Sequence, residues 1–166
     1  KHFLGLPGTR VLALHHRCSP AQIYTELFNK IDCPTMVIEN KVLYGHYISC
    51  EPPNGFQLLF ARESFPTANL RPYHKANLTM VAIGGTSLDA EEAVLRLFDE
   101  EEIVVDLYMP LCLYPFNVDV LSHSLAETKN LLVVEEGQGF VSMSSEIIAQ
   151  VAESFSDIGI QSSRLV

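Results

Sequence analysis

The sequence has 166 residues, of which 48% are hydrophobic, so it can bury the core of one large domain or of one domain and part of another. Its 20 acidic residues outnumber its 11 basic residues and give a formal net charge of -9. This balance argues against binding to nucleic acid or to an anionic membrane surface, because no basic stripe is present to neutralise phosphates. No apolar run approaches the roughly 20 residues of a membrane span, and no signal-peptide pattern opens the chain. We therefore expect a cytoplasmic protein, or one of the mitochondrial matrix in a eukaryote.

The first 48 residues predict a strand, a helix and a second strand. Residues 9–14 form a short apolar run typical of a strand, and Ser19 followed by Pro20 marks the start of a helix. The apolar residues of that helix fall into one inward stripe: Ile23, Leu27, Phe28 and Ile31. Residues 35–39 are nearly all apolar and predict a strand covered on both faces. This unit is interpreted as part of an α/β domain. The chain begins in mid-pattern at Lys1, so we expect that a longer protein has been cut here.

Residues 49–77 are interpreted as a linker between two domains. Four prolines lie in this stretch and periodic apolar residues are few, although residues 56–61 have the composition of a strand. The predicted division is therefore a partial domain over residues 1–48, a linker over residues 49–77, and a second domain over residues 78–166.

From residue 78 onward, strands and helices alternate. A strand ending in Gly84-Gly85 precedes a helix that opens with a capping box from Thr86 to Asp89. Its predicted inner side consists of Ala90, Val94, Leu97 and Phe98. A strand, a helix capped by Asn117, another strand and a last helix follow, and the final residues resemble the start of one more strand. The last helix is predicted to turn four apolar residues inward: Ile147, Ile148, Val151 and Phe155. This order predicts an open, mostly parallel sheet with helices on both faces.

Gly84-Gly85 lies between a strand and a helix, where glycines let backbone amides approach a phosphate. The spacing G-x-G-x-x-G is absent, and no P-loop lysine follows. A tight turn is therefore the simpler interpretation. A flavodoxin-like small-molecule binder, with its ligand at this strand end, is a further alternative.

Glu135 and Glu136 are adjacent at the end of a predicted strand. Successive strand side chains point to opposite faces, so this geometry argues against a catalytic pair of carboxylates. We interpret them as candidates for a subunit interface.

His15, His16 and Arg17 follow a strand's C-terminal end, where ligands bind in open α/β sheets. They are candidates for a general acid or a phosphate contact, against the simpler interpretation of a solvated loop. His46, His74 and His123 are isolated in the sequence from other candidate site residues. The four cysteines lack C-x-x-C spacing and are interpreted as free thiols: Cys18, Cys33, Cys50 and Cys112.

Several phrases occur in one collinear order that covers nearly the whole chain. They are Phe3, Pro7, Gly8 and Val11; Glu39, Leu43 and Tyr44; residues 79–84; Asp106-Leu107; Thr128 with residues 131–137; and Ser145-Glu146-Ile147. In this order they resemble the second half of the β subunit of thiamine-diphosphate-dependent 2-oxoacid dehydrogenases, which belong with the transketolases and 1-deoxyxylulose-5-phosphate synthases. The resemblance implies the end of a pyrimidine-binding domain followed by a transketolase-type C-terminal domain.

The resemblance also implies a function for the parent protein. Such an enzyme decarboxylates a 2-oxoacid, of pyruvate or branched-chain type, on thiamine diphosphate with magnesium and passes the acyl group to a lipoyl carrier. The family's cofactor-binding residues precede Lys1 or lie in another domain or subunit, so this chain alone is expected to bind neither cofactor nor metal. Its role would be assembly as a homodimer or with an α subunit, and docking of an acyltransferase core. The interface candidates are Glu135, Glu136 and Glu146.

The sequence departs from the family pattern at several positions. Tyr108 replaces an arginine, residues 141–144 replace a G-G-F-G phrase, and Ile31 and Cys33 replace the Asp and Asn near a potassium site. The potassium ion is therefore not carried over. The loops "HHRCSP" and "MPLCLYPFN" are longer than their family counterparts. They suggest an alternative, a stand-alone non-catalytic module that uses these loops for assembly or regulation.

Overall fold

The computed structural model describes residues 3–160 and the backbone of residues 162–165. The nine strands of this part of the chain are β1 Arg10–Ala13, β2 Thr35–Ile38, β3 Phe56–Phe60, β4 Ala68–Pro72, β5 Leu78–Ala82, β6 Val105–Met109, β7 Cys112–Tyr114, β8 Asn130–Val134 and β9 Ser162–Leu165. The α-helices in the same residues are α1 Pro20–Asn29, α2 Thr86–Glu101, α3 Ser122–Thr128 and α4 Met143–Ser154. Short 3₁₀ helices span Lys41–Gly45, Val118–Leu121 and Ser156–Ile158. None of the helices among these residues is long and apolar enough to cross a membrane.

The strands form two sheets. The larger has six strands in the order β3-β4-β6-β5-β8-β9, and the smaller has three in the order β2-β1-β7. In the larger sheet β6, β5, β8 and β9 are parallel neighbours. At one edge, β4 pairs antiparallel with β6, and β3 pairs antiparallel with β4. The predicted fold class, an open and mostly parallel sheet flanked by helices, is confirmed.

The core of the larger sheet lies on its two faces, because successive residues of a strand point in opposite directions. On β5, Met80 packs with Ala90 and Val94 of α2, whereas Val81 packs with a second cluster. That second cluster contains Leu125 of α3 and Ile147 and Val151 of α4 among its buried side chains. Helix α2 therefore covers one face and helices α3 and α4 cover the other, and the predicted inner sides of α2 and α4 are confirmed.

The smaller sheet is less completely covered than predicted. On α1, Ile23 is buried and Leu27 packs beside it, but Phe28 is 76% exposed. Ile31, which was predicted to belong to the same stripe, lies beyond the end of α1 and is 83% exposed. Ile38 of β2 is exposed as well. The prediction of a four-residue inward stripe and of a strand covered on both faces is therefore wrong. The reason is that β2 is an edge strand, so α1 has only a narrow sheet to cover.

The segment predicted as a linker contains two strands. Strand β3 pairs with β4 from Phe56 opposite Pro72 to Phe60 opposite Ala68, and β4 pairs with β6. The prolines mislead here because Pro66 precedes β4 and Pro72 is its last residue, so neither interrupts the ladder. Strand β7 was also missed, and it joins β1 of the smaller sheet. The predicted domain limits at residues 48 and 77 stay a prediction. Residues 112–114, however, complete the smaller sheet, whose other strands lie in residues 1–48.

Two of the three predicted helix caps are present in the structure. Ser19 accepts a hydrogen bond from the backbone N–H of Gln22, and Asn117 caps the 3₁₀ turn that leads into α3. The capping box at α2 is wrong, because the N-cap is Gly85 and no side chain accepts from the first N–H groups of the helix. Thr86 Oγ1 donates to the carbonyl of Ile83 at 2.9 Å. Thr86 thus stabilises the turn between β5 and α2 rather than the free N–H groups of the helix.

Candidate functional site

The loop after β1 is held by one carboxylate of helix α2. His16 Nε2 lies 2.7 Å from Glu91 Oε2, and Arg17 Nε donates to the same oxygen at 2.9 Å. A terminal nitrogen of Arg17 donates to the other oxygen, Glu91 Oε1. We call His16, Arg17 and Glu91 the clasp. It joins the C-terminal end of β1 to the helix that covers the larger sheet.

The clasp also binds the chain that leads away from the smaller sheet. The remaining terminal nitrogen of Arg17 donates to the carbonyls of Ser49 and Glu51 at 2.8 and 2.9 Å. His16 Nδ1 lies 3.0 Å from the hydroxyl of Ser87. Arg17 and Glu91 are buried, so the interpretation of this loop as solvated is wrong. The guanidinium nitrogens of Arg17 already have protein partners, and a phosphate could bind here only by displacing them.

The electrostatics of the clasp are those of a compensated ion pair. Burial alone would raise the pKa of Glu91, but hydrogen bonds from His16 and Arg17 and the positive charges nearby outweigh it and lower the pKa to about 2. Glu91 is therefore ionised at neutral pH and balances the charge of Arg17. A general acid needs a pKa near the working pH, so this carboxylate has the properties of a structural partner.

His15 lies beside the clasp but does not join it. The backbone N–H of Arg17 donates to His15 Nδ1 at 3.2 Å, which places the proton of the neutral ring on Nε2. Burial, reinforced by His16 and Arg17, lowers the pKa of this ring from 6.5 to about 3. His15 is only 3% exposed, and within the described part of the chain its Nε2 has no hydrogen-bond partner. It is a buried donor without an acceptor.

A cavity of about 360 Å³ lies next to His15, at the C-terminal ends of β1 and β2. Glu39 and Tyr44 line it. Tyr44 donates to Glu39 Oε2 at 2.7 Å and Tyr24 donates to Glu39 Oε1. These bonds lower the pKa of Glu39, and the hydrogen bond to Glu39 raises that of Tyr24 to about 12. The carboxylate is thus ionised and held in place by two phenols.

Gly84-Gly85 forms a tight turn against the side chain of Asn40. Gly84 has φ +60°, a conformation that glycine adopts without strain. A Cβ on Gly85 would lie 2.0 Å from Nδ2 of Asn40. The same amide nitrogen donates to Glu136 Oε2 at 2.9 Å. Asn40 therefore connects the end of β2 with the ends of β5 and β8, which supports the tight-turn interpretation.

The two adjacent glutamates lie in different surroundings. Glu136 is exposed and bonded to Asn40, whereas Glu135 has a buried Oε1 for which the described residues offer no partner. Both line a cleft of about 220 Å³. Strand alternation was the wrong reason to separate them, because β8 ends at Val134, before either glutamate. The third interface candidate, Glu146, is exposed on the first turn of α4 and accepts from Gln150.

Replacing Gly85 with alanine should destabilise the protein, because the new methyl group overlaps the side chain of Asn40. We expect the free energy of unfolding to fall by about 1–3 kcal/mol, the usual cost of overpacking. Urea unfolding of Gly85→Ala measures this loss. In an Asn40→Ala background the same substitution should cost much less. An equal loss in both backgrounds would show that the overlap with Asn40 is not the cause.

Glu91 and Asn40 were missed at the level of sequence. Glu91 lies three residues before Val94 and four after Ser87, on the face of α2 that turns inward. A carboxylate on such a face requires a buried partner, and this spacing was the available signal. Asn40 offered no comparable signal, because its contacts with Gly85 and Glu136 are distant in sequence.

Tyr108, which replaces the family's arginine, belongs to a buried polar network. Its hydroxyl donates to Asp106 Oδ2 at 3.2 Å, and Asn69 donates to Asp106 Oδ1 at 2.6 Å. Arg71 donates to the Tyr108 hydroxyl at 3.4 Å. Burial, together with Asp106, raises the pKa of Tyr108 to about 12. The network joins β4 to β6, so Tyr108 has a structural role here.

Metal-ligating side chains do not converge within the described residues. These residues include no group of three or more His, Cys, Asp or Glu side chains that could hold an ion. All four cysteines are free thiols in this structure.

The chain has an open α/β fold with the strand order given above. The clasp and the cavity beside His15 lie at the carboxyl ends of its strands, and these features define the class of the chain as an open α/β protein. The chain belongs to the family of transketolase C-terminal domains, whose pattern matches residues 68–166. The match begins at β4, within the segment predicted as a linker.

Relatives of known identity extend this result. The sequence is 27% identical over 156 residues to the mitochondrial pyruvate dehydrogenase E1 component subunit beta of Ascaris suum, covering 92% of this chain and 41% of that protein. The chain thus spans less than half the length of that relative. The resemblance to the thiamine-diphosphate-dependent 2-oxoacid dehydrogenase and transketolase family is confirmed.

Solved structures support the fold. A split-gene transketolase described as an inactive β4 tetramer matches with a TM-score of 0.60 and 18% identity, covering 91% of this chain and 46% of that one. A transketolase mutant, H261F, from Pichia stipitis matches with a TM-score of 0.53 and 16% identity, covering 84% of this chain and 20% of that one. At these identities the structural likeness concerns the fold alone.

Proposed function

We propose that this chain is the C-terminal portion of the β subunit of a thiamine-diphosphate-dependent 2-oxoacid dehydrogenase, of pyruvate or branched-chain type. The observation that carries the proposal is the match of 156 residues to a pyruvate dehydrogenase β subunit. That match is longer than the C-terminal domain alone, so it includes the smaller sheet as well. The catalytic machinery would lie outside this chain.

Thiamine diphosphate and magnesium are assigned to the parent enzyme. By resemblance to the family, the residues that hold them precede Lys1 or lie in another domain or subunit. The described residues include no cluster suited to a metal ion. We therefore assign no step of the reaction to this chain, and we expect it to bind neither group on its own.

The role proposed for the chain is assembly. It would pair as a homodimer or with an α subunit and present a surface to the acyltransferase core, in the cytoplasm or the mitochondrial matrix. The segment from Glu136 to Glu146 supports this, because between the two carboxylates it exposes the large apolar side chain of Phe140, at 84%. Apolar side chains within a charged rim are typical of interfaces. Glu135, Glu136 and Glu146 are the candidate charges of that rim.

Reversing the rim charges should weaken docking. Calorimetry with the purified subunit-binding domain of an acyltransferase core should show binding to the unmodified chain. An acidic rim fits a partner whose docking surface is basic. In Glu136→Lys/Glu146→Lys we therefore expect affinity to fall by about tenfold or more, because the two lysines would repel such a surface. Glu100→Lys, at an exposed position of α2, is the matched control and should bind normally.

The cofactor arm of the same experiment tests the assignment of catalysis to another part of the protein. Titration of the chain with thiamine diphosphate and magnesium should release no binding heat. Micromolar affinity would overturn the proposed division of labour, and equal binding by both charge variants would overturn the proposed rim.

The alternative, a stand-alone module that binds partners through its two long loops, has less support. His16 and Arg17 of the "HHRCSP" loop belong to the clasp, and the "MPLCLYPFN" segment contains β7 of the smaller sheet. Both loops are thus used within the fold.

A further inference from the structure

We propose that the cavity beside His15 binds a small neutral molecule that carries a primary carboxamide. The cavity measures about 360 Å³, within the range of small-molecule sites. Its apolar lining includes Leu14, Leu43 and Ile48, and its polar groups include His15 and Glu39. Apolar walls with a few fixed polar groups are typical of ligand pockets.

His15 supplies the hydrogen-bond donor of this site. Its Nδ1 is occupied by the backbone N–H of Arg17, so Nε2 carries the proton, and the described residues supply no acceptor for it. A buried donor without a partner is costly, and a carbonyl oxygen of a ligand would relieve that cost. The ring lies in the wall between this cavity and a second one of about 360 Å³.

Glu39 supplies the acceptor at the rim. Each of its oxygens accepts from one tyrosine, Tyr24 or Tyr44, and each has a lone pair left for an N–H group. The cavity thus offers one donor, at His15, and one acceptor, at Glu39, which are the groups that the oxygen and the NH₂ of a carboxamide bind. An anion is disfavoured, because Glu39 is charged, Glu91 balances Arg17, and the chain carries a net charge of -9.

Access to His15 requires one wall residue to move. The residues shared by the two cavities include His15, Cys18 and Ile48. Cys18 is buried and its thiol donates to the His15 carbonyl, whereas Ile48 is 47% exposed and lies outside any helix or strand. Ile48 is therefore the side chain that would turn aside to admit the ligand.

The test uses nicotinamide as the probe and nicotinate as its charged analogue. Saturation-transfer NMR on the full chain should show nicotinamide binding at millimolar concentration and little or no nicotinate binding. His15→Phe should weaken nicotinamide binding by about tenfold, because the donor is lost while the ring shape is kept. Glu39→Gln should reduce the preference for the amide over the acid. His123→Phe, which changes an exposed histidine outside the cavity, should bind like the unmodified chain.

Ile48→Ala keeps the proposal testable if His15→Phe fails to fold. This substitution opens the rim at a half-exposed position and should strengthen nicotinamide binding severalfold. Absence of nicotinamide binding by both the unmodified chain and Ile48→Ala would overturn the proposal. Equal binding of nicotinamide and nicotinate, unaffected by Glu39→Gln, would overturn it as well. These outcomes are independent of whether the chain docks on an acyltransferase core.

Discussion

Replacing Glu91 with glutamine should lower the free energy of unfolding by about 3–5 kcal/mol, the usual cost of breaking a buried ion pair. Glu91 Oε2 accepts from Arg17 Nε at 2.9 Å and lies 2.7 Å from His16 Nε2. In Glu91→Gln the charge of Arg17 stays buried without its counter-ion, and the amide NH₂ of glutamine faces donors. The loss should appear as a lower urea midpoint with an unchanged slope.

Glu92→Gln is the matched control, because the next residue of α2 is exposed. It should change the free energy of unfolding by less than about 0.5 kcal/mol. The combined exchange Arg17→Met/Glu91→Leu should recover part of the loss, since it leaves no uncompensated charge of either residue. If Glu91→Gln and Glu92→Gln are equally stable, the clasp does not stabilise the fold.

Acid should destabilise the protein, because folding lowers the pKa of His15 and so opposes its protonation. The pKa of His15 is about 3 in the folded state, against an ordinary value of 6.5. The unfolded chain therefore binds a proton between these values that the folded chain does not, and stability present above pH 6.5 is lost as the pH falls toward 3. At about 1.4 kcal/mol per pH unit, the loss between pH 7 and pH 4 is about 3 kcal/mol. Glu91, with a pKa of about 2, adds to the loss below pH 4.5.

Urea unfolding across this pH range measures the effect. His15→Phe should remove most of the slope between pH 6.5 and pH 4, because its side chain binds no proton in either state. His123→Gln, which changes an exposed histidine away from the cavity, is the matched control. A slope that survives in His15→Phe would assign the acid sensitivity to other groups.

The clasp and β7 show how the two predicted parts of the chain are joined. Arg17 contacts α2 through Glu91 and the following segment through the carbonyls of Ser49 and Glu51. Strand β7 comes from the C-terminal part and pairs with β1 of the smaller sheet. Unfolding of the smaller sheet should therefore be coupled to that of α2 rather than proceed alone.

The sequence correctly predicted those helix starts and helix faces whose signals lie close together along the chain. Ser19 and Pro20 marked the start of α1, and the spacing of Ile147 and Val151 gave the inward face of α4. The capping box at Thr86 failed, because the helix is capped one residue earlier, at Gly85, and Thr86 is its first helical residue. Strand β4 failed because flanking prolines suggested irregular chain, and β7 because three residues are too few to show a period.

The sequence by itself determined the alternation of strands and helices, the inward faces of α2 and α4, and the family, because these depend on spacing along the chain. Tertiary structure alone decided that β2 is an edge, that β7 completes the smaller sheet, and which residues surround His15. Glu91 meets His16 and Arg17 across more than 70 residues, and Asn40 meets Glu136 across 96. Such contacts depend on how the sheets are placed, and no local period encodes that placement.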